Sequence, residues 1–142
     1  MQHVEQEQEQ KRAPAEDRPA EAVQREIDRG VIRFPGERRV RLAPAAEAML
    51  VGEGVMTVLS ASERFALPAW ALMSAHNLSE WSAPSGVRRV LIAGDRGPVG
   101  ETAARRLMRR LRLEGLSASI ALPPTGSDDW NAAAAEREKE GR

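Results

Sequence analysis

Residues 88–95, RRVLIAGD, constrain this chain most. Val90, Leu91 and Ile92 are consecutive, so an extended segment here presents bulky apolar side chains on both faces. Such a strand needs cover above and below, as in a parallel sheet flanked by helices. The next segment supplies a helix. After the loop GDRGPVGE, residues 100–115 place Ala104, Leu107, Met108 and Leu111 at i, i+3, i+4 and i+7. That spacing makes one apolar stripe, and Gly115 stands where a left-handed residue closes a helix.

The same alternation extends along the chain. RRVRLAP reads as a short strand ended by Pro44, and MLVGEG (49–54) as a buried strand running into a glycine turn. Residues 55–66 read as a helix with Val55, Val58 and Leu59 inward, stopped by Pro68. AWALMSA (69–75) reads as a second buried strand, HNLSEW (76–81) as a short helix, and SASIALP (117–123) as a last strand. DDWNAAAAEREKE (128–140) opens on capping residues and continues as an exposed helix. The order implies an α/β domain with a mostly parallel sheet of four strands, near 49–52, 69–74, 88–94 and 118–122, and helices on both faces. The expected core includes Val51, Leu59, Trp70, Leu72, Leu91, Ile92, Leu107, Leu111 and Ile120. The domain is expected over 31–135. Residues 1–30 carry too few large apolar groups to offset chain entropy, so disorder or a loose helix, at 20–28, is expected there. Residues 136–142 form an exposed helix end.

Composition removes several function classes. Lysine plus arginine equals aspartate plus glutamate at 21 each, which excludes a globally basic coat or an acidic mimic. Cysteine is absent, so thiol catalysis and Cys-ligated metal are excluded, and His3 and His76 are too few for a His-rich site. Aromatics are 4% with no tyrosine, which argues against base stacking as the main device. No apolar run approaches the roughly 20 residues of a membrane span, and no signal peptide is visible, so a cytoplasmic protein without membrane contact is expected.

In such a sheet, ligands bind beyond the carboxyl ends of the strands. Glu53, Asp95 and the pair Asp128–Asp129 each follow a strand at that edge. Gathered carboxylates repel unless a proton or cation joins them, and hard oxygen ligands suit Mg2+. The competing reading is that Glu53 and Asp129 accept backbone N–H bonds as helix caps. Arg105, Arg106, Arg109, Arg110 and Arg112 cover the outward side of the long helix, as a solvated face or as a strip for phosphates. Arg96, beside Asp95, either pairs with a carboxylate, approaches a phosphate, or is a plain loop residue. Trp81 and Trp130 flank the edge, where packing competes with base stacking. Gly94, Gly97 and Gly100 form a loose G-x-x-G-x-x-G that does not match the dinucleotide fingerprint.

The wording of residues 39–61, 67–78, 86–107 and 122–133 resembles the Toprim domain, and within it the modules of phage- and plasmid-type DNA primases and primase-helicases. The resemblance covers roughly 39–133. It implies a compact fold with a mainly parallel four-stranded sheet, Mg2+ (or Mn2+) as cofactor, and nucleotidyl transfer in DNA replication. It puts a general acid/base role on Glu53 in LVGEG and metal ligation on Asp95 and Asp129, with Asp128 inserted before the latter. The phosphate reading of the arginines puts Arg96, Arg105 and Arg109 on nucleic acid. Two carboxylates of the family pattern are replaced, by Gly97 and by Ala132. Two-metal catalysis needs enough anionic ligands for a pair of cations about 3.5–4 Å apart, so weak binding of one Mg2+ is expected. No polymerase core, zinc module or GxxxxGK[ST] is present, which implies either a partner primase or helicase subunit or a piece of a longer protein. The alternative is a degenerate, non-catalytic module that binds nucleic acid or a replication protein.

Overall fold

The computed structural model describes residues 39–141. The expectations for residues 1–30 lie outside the described residues. The chain runs β1 (Val40–Arg41), β2 (Ala48–Gly52), α1 (Val55–Phe65), β3 (Ala69–Ala71), α2 (Ala75–Glu80), β4 (Arg89–Ala93), α3 (Pro98–Leu113), β5 (Ser117–Ala121) and α4 (Trp130–Glu140). The sheet order is β1-β3-β2-β4-β5. Four strands are parallel, and β1 joins β3 antiparallel, so the sheet has five strands where four are expected. The fifth is RRVRLAP: Val40 is buried on one side, while Arg39 and Arg41 lie over the Trp70 ring on the other.

Helices lie on both faces. On one, α2 and α3 cover Met49, Val51, Val90 and Ile92 with Leu78, Ala104, Leu107 and Leu111. On the other, α1 and α4 cover Leu50, Ala69, Ala71 and Ala93 with Val55, Val58, Ala61, Trp130 and Ala133. Three expected core residues, Leu59, Leu91 and Ile120, are only partly buried. For Leu59 the reason is helical phase: Val55, Val58 and Ala61 form the inward stripe.

The strand expected over 69–74 stops at Ala71. Met73 has φ +75, which turns the chain, and the Ser74 hydroxyl then accepts the Asn77 N–H at 3.0 Å as the cap of α2. Helix α3 begins at Pro98, inside the expected loop, because proline at the first helical position gives up an N–H that has no helical partner anyway. Trp81 and Trp130 both pack inward. Trp81 meets Trp70 edge to face at 6.2 Å, and Trp130 meets Phe65 likewise at 5.2 Å.

Register aligns the carboxyl ends of the strands. Gly52 pairs with Ala71 on one side and Ala93 on the other, and Ala93 pairs with Ala121. The residues that follow leave the sheet along one edge.

Candidate functional site

Glu53 leaves β2 and Asp95 leaves β4, the two central strands, one and two residues past the aligned pair Gly52–Ala93. Gly100, in the first turn of α3, brings them together. A Cβ on Gly100 would stand 2.9 Å from the Asp95 carbonyl oxygen, 3.3 Å from Glu53 Oε1 and 3.4 Å from the Asp95 Cβ. The first of these is too close for any residue but glycine, so the bare backbone of Gly100 leaves room for both acidic side chains. Across β3, the Met73 N–H donates to the Glu53 carbonyl at 2.7 Å, and the Leu72 N–H donates to that of Gly52 at 2.8 Å. The left-handed turn at Met73 thus holds the backbone of Glu53.

Asp129 arrives from the third direction as the N-cap of α4. Its Oδ1 accepts the Ala132 N–H at 2.7 Å, so the capping reading holds for this residue. It does not hold for Glu53: the N-cap of α1 is Gly54, with no side-chain cap bond.

The electrostatics tie the three acids together. The Asp95 carboxyl is pushed up from 3.8 to about 6 by burial first, then by the negative charges of Glu53 and Asp129. Burial also raises Glu53. Asp95 Oδ1 is buried and has no hydrogen-bond partner. Asp128 is exposed, and its charge is not among those that raise Asp95. Its carbonyl instead accepts the Arg96 N–H at 2.8 Å, pinning the β4–α3 loop to the β5–α4 loop. Among the described residues, no three His, Cys, Asp or Glu side chains converge closely enough to hold a metal ion by themselves.

The two replaced carboxylates have different structural settings. Gly97 caps α3 with φ +116 and ψ 160, a region essentially reserved for glycine, and its N–H donates to Glu101 Oε2 at 3.0 Å. Ala132 is an exposed residue in the first turn of α4.

The arginines divide by partner. Arg96 does not turn to a carboxylate: its Nε donates to the Pro123 carbonyl at 2.8 Å. It lines a cavity of about 700 Å³ between α1, α4 and the β5–α4 loop. On α3, Arg106 pairs with Glu80 at 3.0 Å, Arg110 donates to the Trp81 carbonyl at 3.1 Å, and Arg112 donates to that of Ala118 at 2.9 Å. Arg105 and Arg109, one turn apart and exposed, have no such partner among the described residues. No helix among the described residues is long and apolar enough to cross a membrane.

Sequence reasoning missed the positioning roles of Gly100 and Met73. The G-x-x-G-x-x-G spacing was the available signal for Gly100. Nothing in the sequence marks Met73.

No curated protein matches the chain. Among solved structures, the primase fragment of the bacteriophage T7 primase-helicase protein aligns over 68% of this chain and 41% of its own, at TM-score 0.49 and 14% identity. A DNA primase domain from Pseudomonas aeruginosa aligns over 66% of this chain and 30% of its own, at TM-score 0.44 and 20% identity. The chain therefore spans less than half the length of either. The Toprim domain profile matches residues 48–140. That stretch runs from the start of β2 to the end of α4 and exceeds half of the chain, so the protein belongs to the Toprim domain family.

Proposed function

We propose that this domain is a primase-related nucleic-acid module in DNA replication that assists nucleotidyl transfer with Mg2+ or Mn2+. One observation carries the reading: the buried, unpartnered Asp95 Oδ1, whose carboxyl is raised to about 6 beside Glu53 and Asp129. Among the described residues, Asp95 Oδ1 thus has neither a cation nor a hydrogen-bond donor against it. Mg2+ commonly keeps several waters and takes only one or two carboxylates together with phosphate oxygens, so Asp95 with Asp129 fits one hydrated ion, with the exposed Asp128 on the same loop as Asp129 in reserve. Such an ion, when bound, neutralises phosphate oxygens. Glu53, raised by burial, holds or accepts a proton at its Oε atoms. Arg105 and Arg109 offer unpaired guanidinium groups to phosphates, while Arg96 keeps the two loops in place and leaves one amino group for the same task. Primer synthesis requires further structure, supplied by a partner primase or helicase subunit.

Calorimetric titration with MgCl2 tests this reading. Weak binding is expected in the wild type, loss of it in Asp95→Asn, and little or no primer synthesis by the protein alone. Strong metal-dependent activity that survives both Asp95→Asn and Glu53→Gln would place the chemistry elsewhere.

The second reading, a non-catalytic module binding nucleic acid or a replication protein, is favoured by the commitment of Asp129 Oδ1 to the cap of α4. Oligonucleotide binding indifferent to Mg2+ and to Asp95→Asn would support it.

A further inference from the structure

Strand β1 pairs Val40 with Ala71 and Arg41 with Trp70, so Arg39 lies beyond the carboxyl end of β3. That is the edge from which Glu53 leaves β2. Arg39 is drawn down onto the sheet by Trp70, whose ring centroid is 5.1 Å from the guanidinium carbon. Stacking of this kind orients a guanidinium while leaving its N–H groups to bind something else. Arg39 Nε is buried, and no acceptor meets it.

A second donor is in the same condition. Trp81 is 5% exposed, and its Nε1–H has no partner. The two other indoles are satisfied: Trp70 donates to the Ala43 carbonyl at 2.8 Å and Trp130 to that of Ala121 at 3.2 Å. A buried donor without an acceptor carries a desolvation penalty, and native proteins leave few of them unless an ion or water fills the place.

Arg39 and Trp81 line one cavity of about 380 Å³, together with Leu72, His76 and Ser82. Its one carboxylate, Glu80, is paired with Arg106 at 3.0 Å. The donors come from separate elements: Arg39 from the start of β1, Trp81 and Ser82 from the end of α2, and His76 from its first turn. A flat carboxylate is matched by a single fork. Donors from several elements around one cavity match the oxygens of a tetrahedral anion better.

We propose that this cavity binds a phosphate group, with Arg39 and the Trp81 indole N–H as its principal donors. Leu72 lines the cavity, and its neighbour Met73 is bonded to the Glu53 carbonyl, so a phosphate here sits beside the carboxylate edge. The phosphate belongs either to a strand backbone or to a free nucleotide. This site is independent of metal binding at Asp95.

The test is 15N–1H NMR of the indole and arginine side chains in the full chain, titrated at constant ionic strength with sodium phosphate, ATP and a single-stranded DNA oligonucleotide, with chloride as control. Trp81→Phe assigns the Trp81 signal and removes one donor while keeping an aromatic ring. Saturable shifts of the Trp81 and Arg39 signals are expected, with that of Trp130 unmoved. Arg39→Met should weaken the response about tenfold or more, the scale of one lost charge-assisted bond. A response to the oligonucleotide at far lower concentration than to ATP identifies a strand backbone as the source, and the reverse identifies a nucleotide. Absence of a saturable shift with all three probes overturns the proposal. So does a shift that is unchanged in Arg39→Met, or one shared equally by Trp130.

Discussion

Asp95 makes its own stability prediction. Its carboxyl is raised to about 6 in the folded chain against 3.8 ordinarily, so the native state binds the proton more tightly than the unfolded state. The contribution is fully present below the ordinary value and is lost as pH rises through about 6. At pH 7.5 the ionised group opposes folding. Asp95→Asn is therefore expected to stabilise the fold at pH 7.5, by on the order of 1 kcal/mol once solvent screening of a half-buried group is allowed for, and so to raise the melting temperature. The gain should shrink toward zero at pH 4.5, as calorimetry at the two pH values would show. Equal gains at both would remove the charge argument. Gly97 gives the opposite sign. Restoring the family's aspartate by Gly97→Asp would strengthen Mg2+ binding on ligand count alone. The φ of +116 overrides that count: the variant should lose about 1–3 kcal/mol in urea unfolding without tighter binding. These two residues mark what a sequence conveys at this scale. The position of Asp95 after a strand is legible in LIAGD, and its missing partner at 97 is legible as an absence. That the absence is enforced by a backbone angle is not, because nothing in GDRGPVG states which glycine caps the helix.

Among the elements, α4 separates two roles of one side chain. Asp129 caps it through Oδ1 and also places a negative charge near Asp95. Asp129→Ala removes both and should cost about 1 kcal/mol through the lost cap. Asp129→Asn keeps an acceptor for the Ala132 N–H and removes only the charge. It should leave stability nearly unchanged at pH 5 and lower the Asp95 titration midpoint, readable by carboxyl 13C NMR. If both variants behave alike, the cap contributes nothing. Helices α1, α3 and α4 were legible from apolar spacing and capping residues, since both are local. Strand lengths were less so. AWALMSA looks extended to its end, but the chain turns at Met73 because Ser74 and Asn77 satisfy the first turn of α2 and the Leu72 carbonyl. The arginine strip of α3 was legible as a strip. Its division into bonded Arg106, Arg110 and Arg112 and unbonded Arg105 and Arg109 depends on neighbours outside the helix, those of Arg106 and Arg110 far along the chain.

Across the whole molecule, one sheet serves two separate apolar clusters. Strands β2, β3, β4 and β5 have side chains in both, so neither cluster can dissolve alone without exposing the other. Leu107→Ala, in the cluster under α3, should cost about 2–5 kcal/mol. It should do so with a single midpoint when the Trp130 indole N–H signal in 15N–1H NMR, from the opposite cluster, is compared with far-ultraviolet circular dichroism. Separate midpoints would show two folding units. The antiparallel set of β1 also decides how the domain can be combined with others. The polypeptide enters Val40 at the same rim where Glu53 and Asp95 emerge, not at the far end of the strands. Any module covalently joined ahead of Arg39 is thereby tethered at that rim. Its effective concentration at the carboxylates is then set by linker length, and even a short link suffices for a large one.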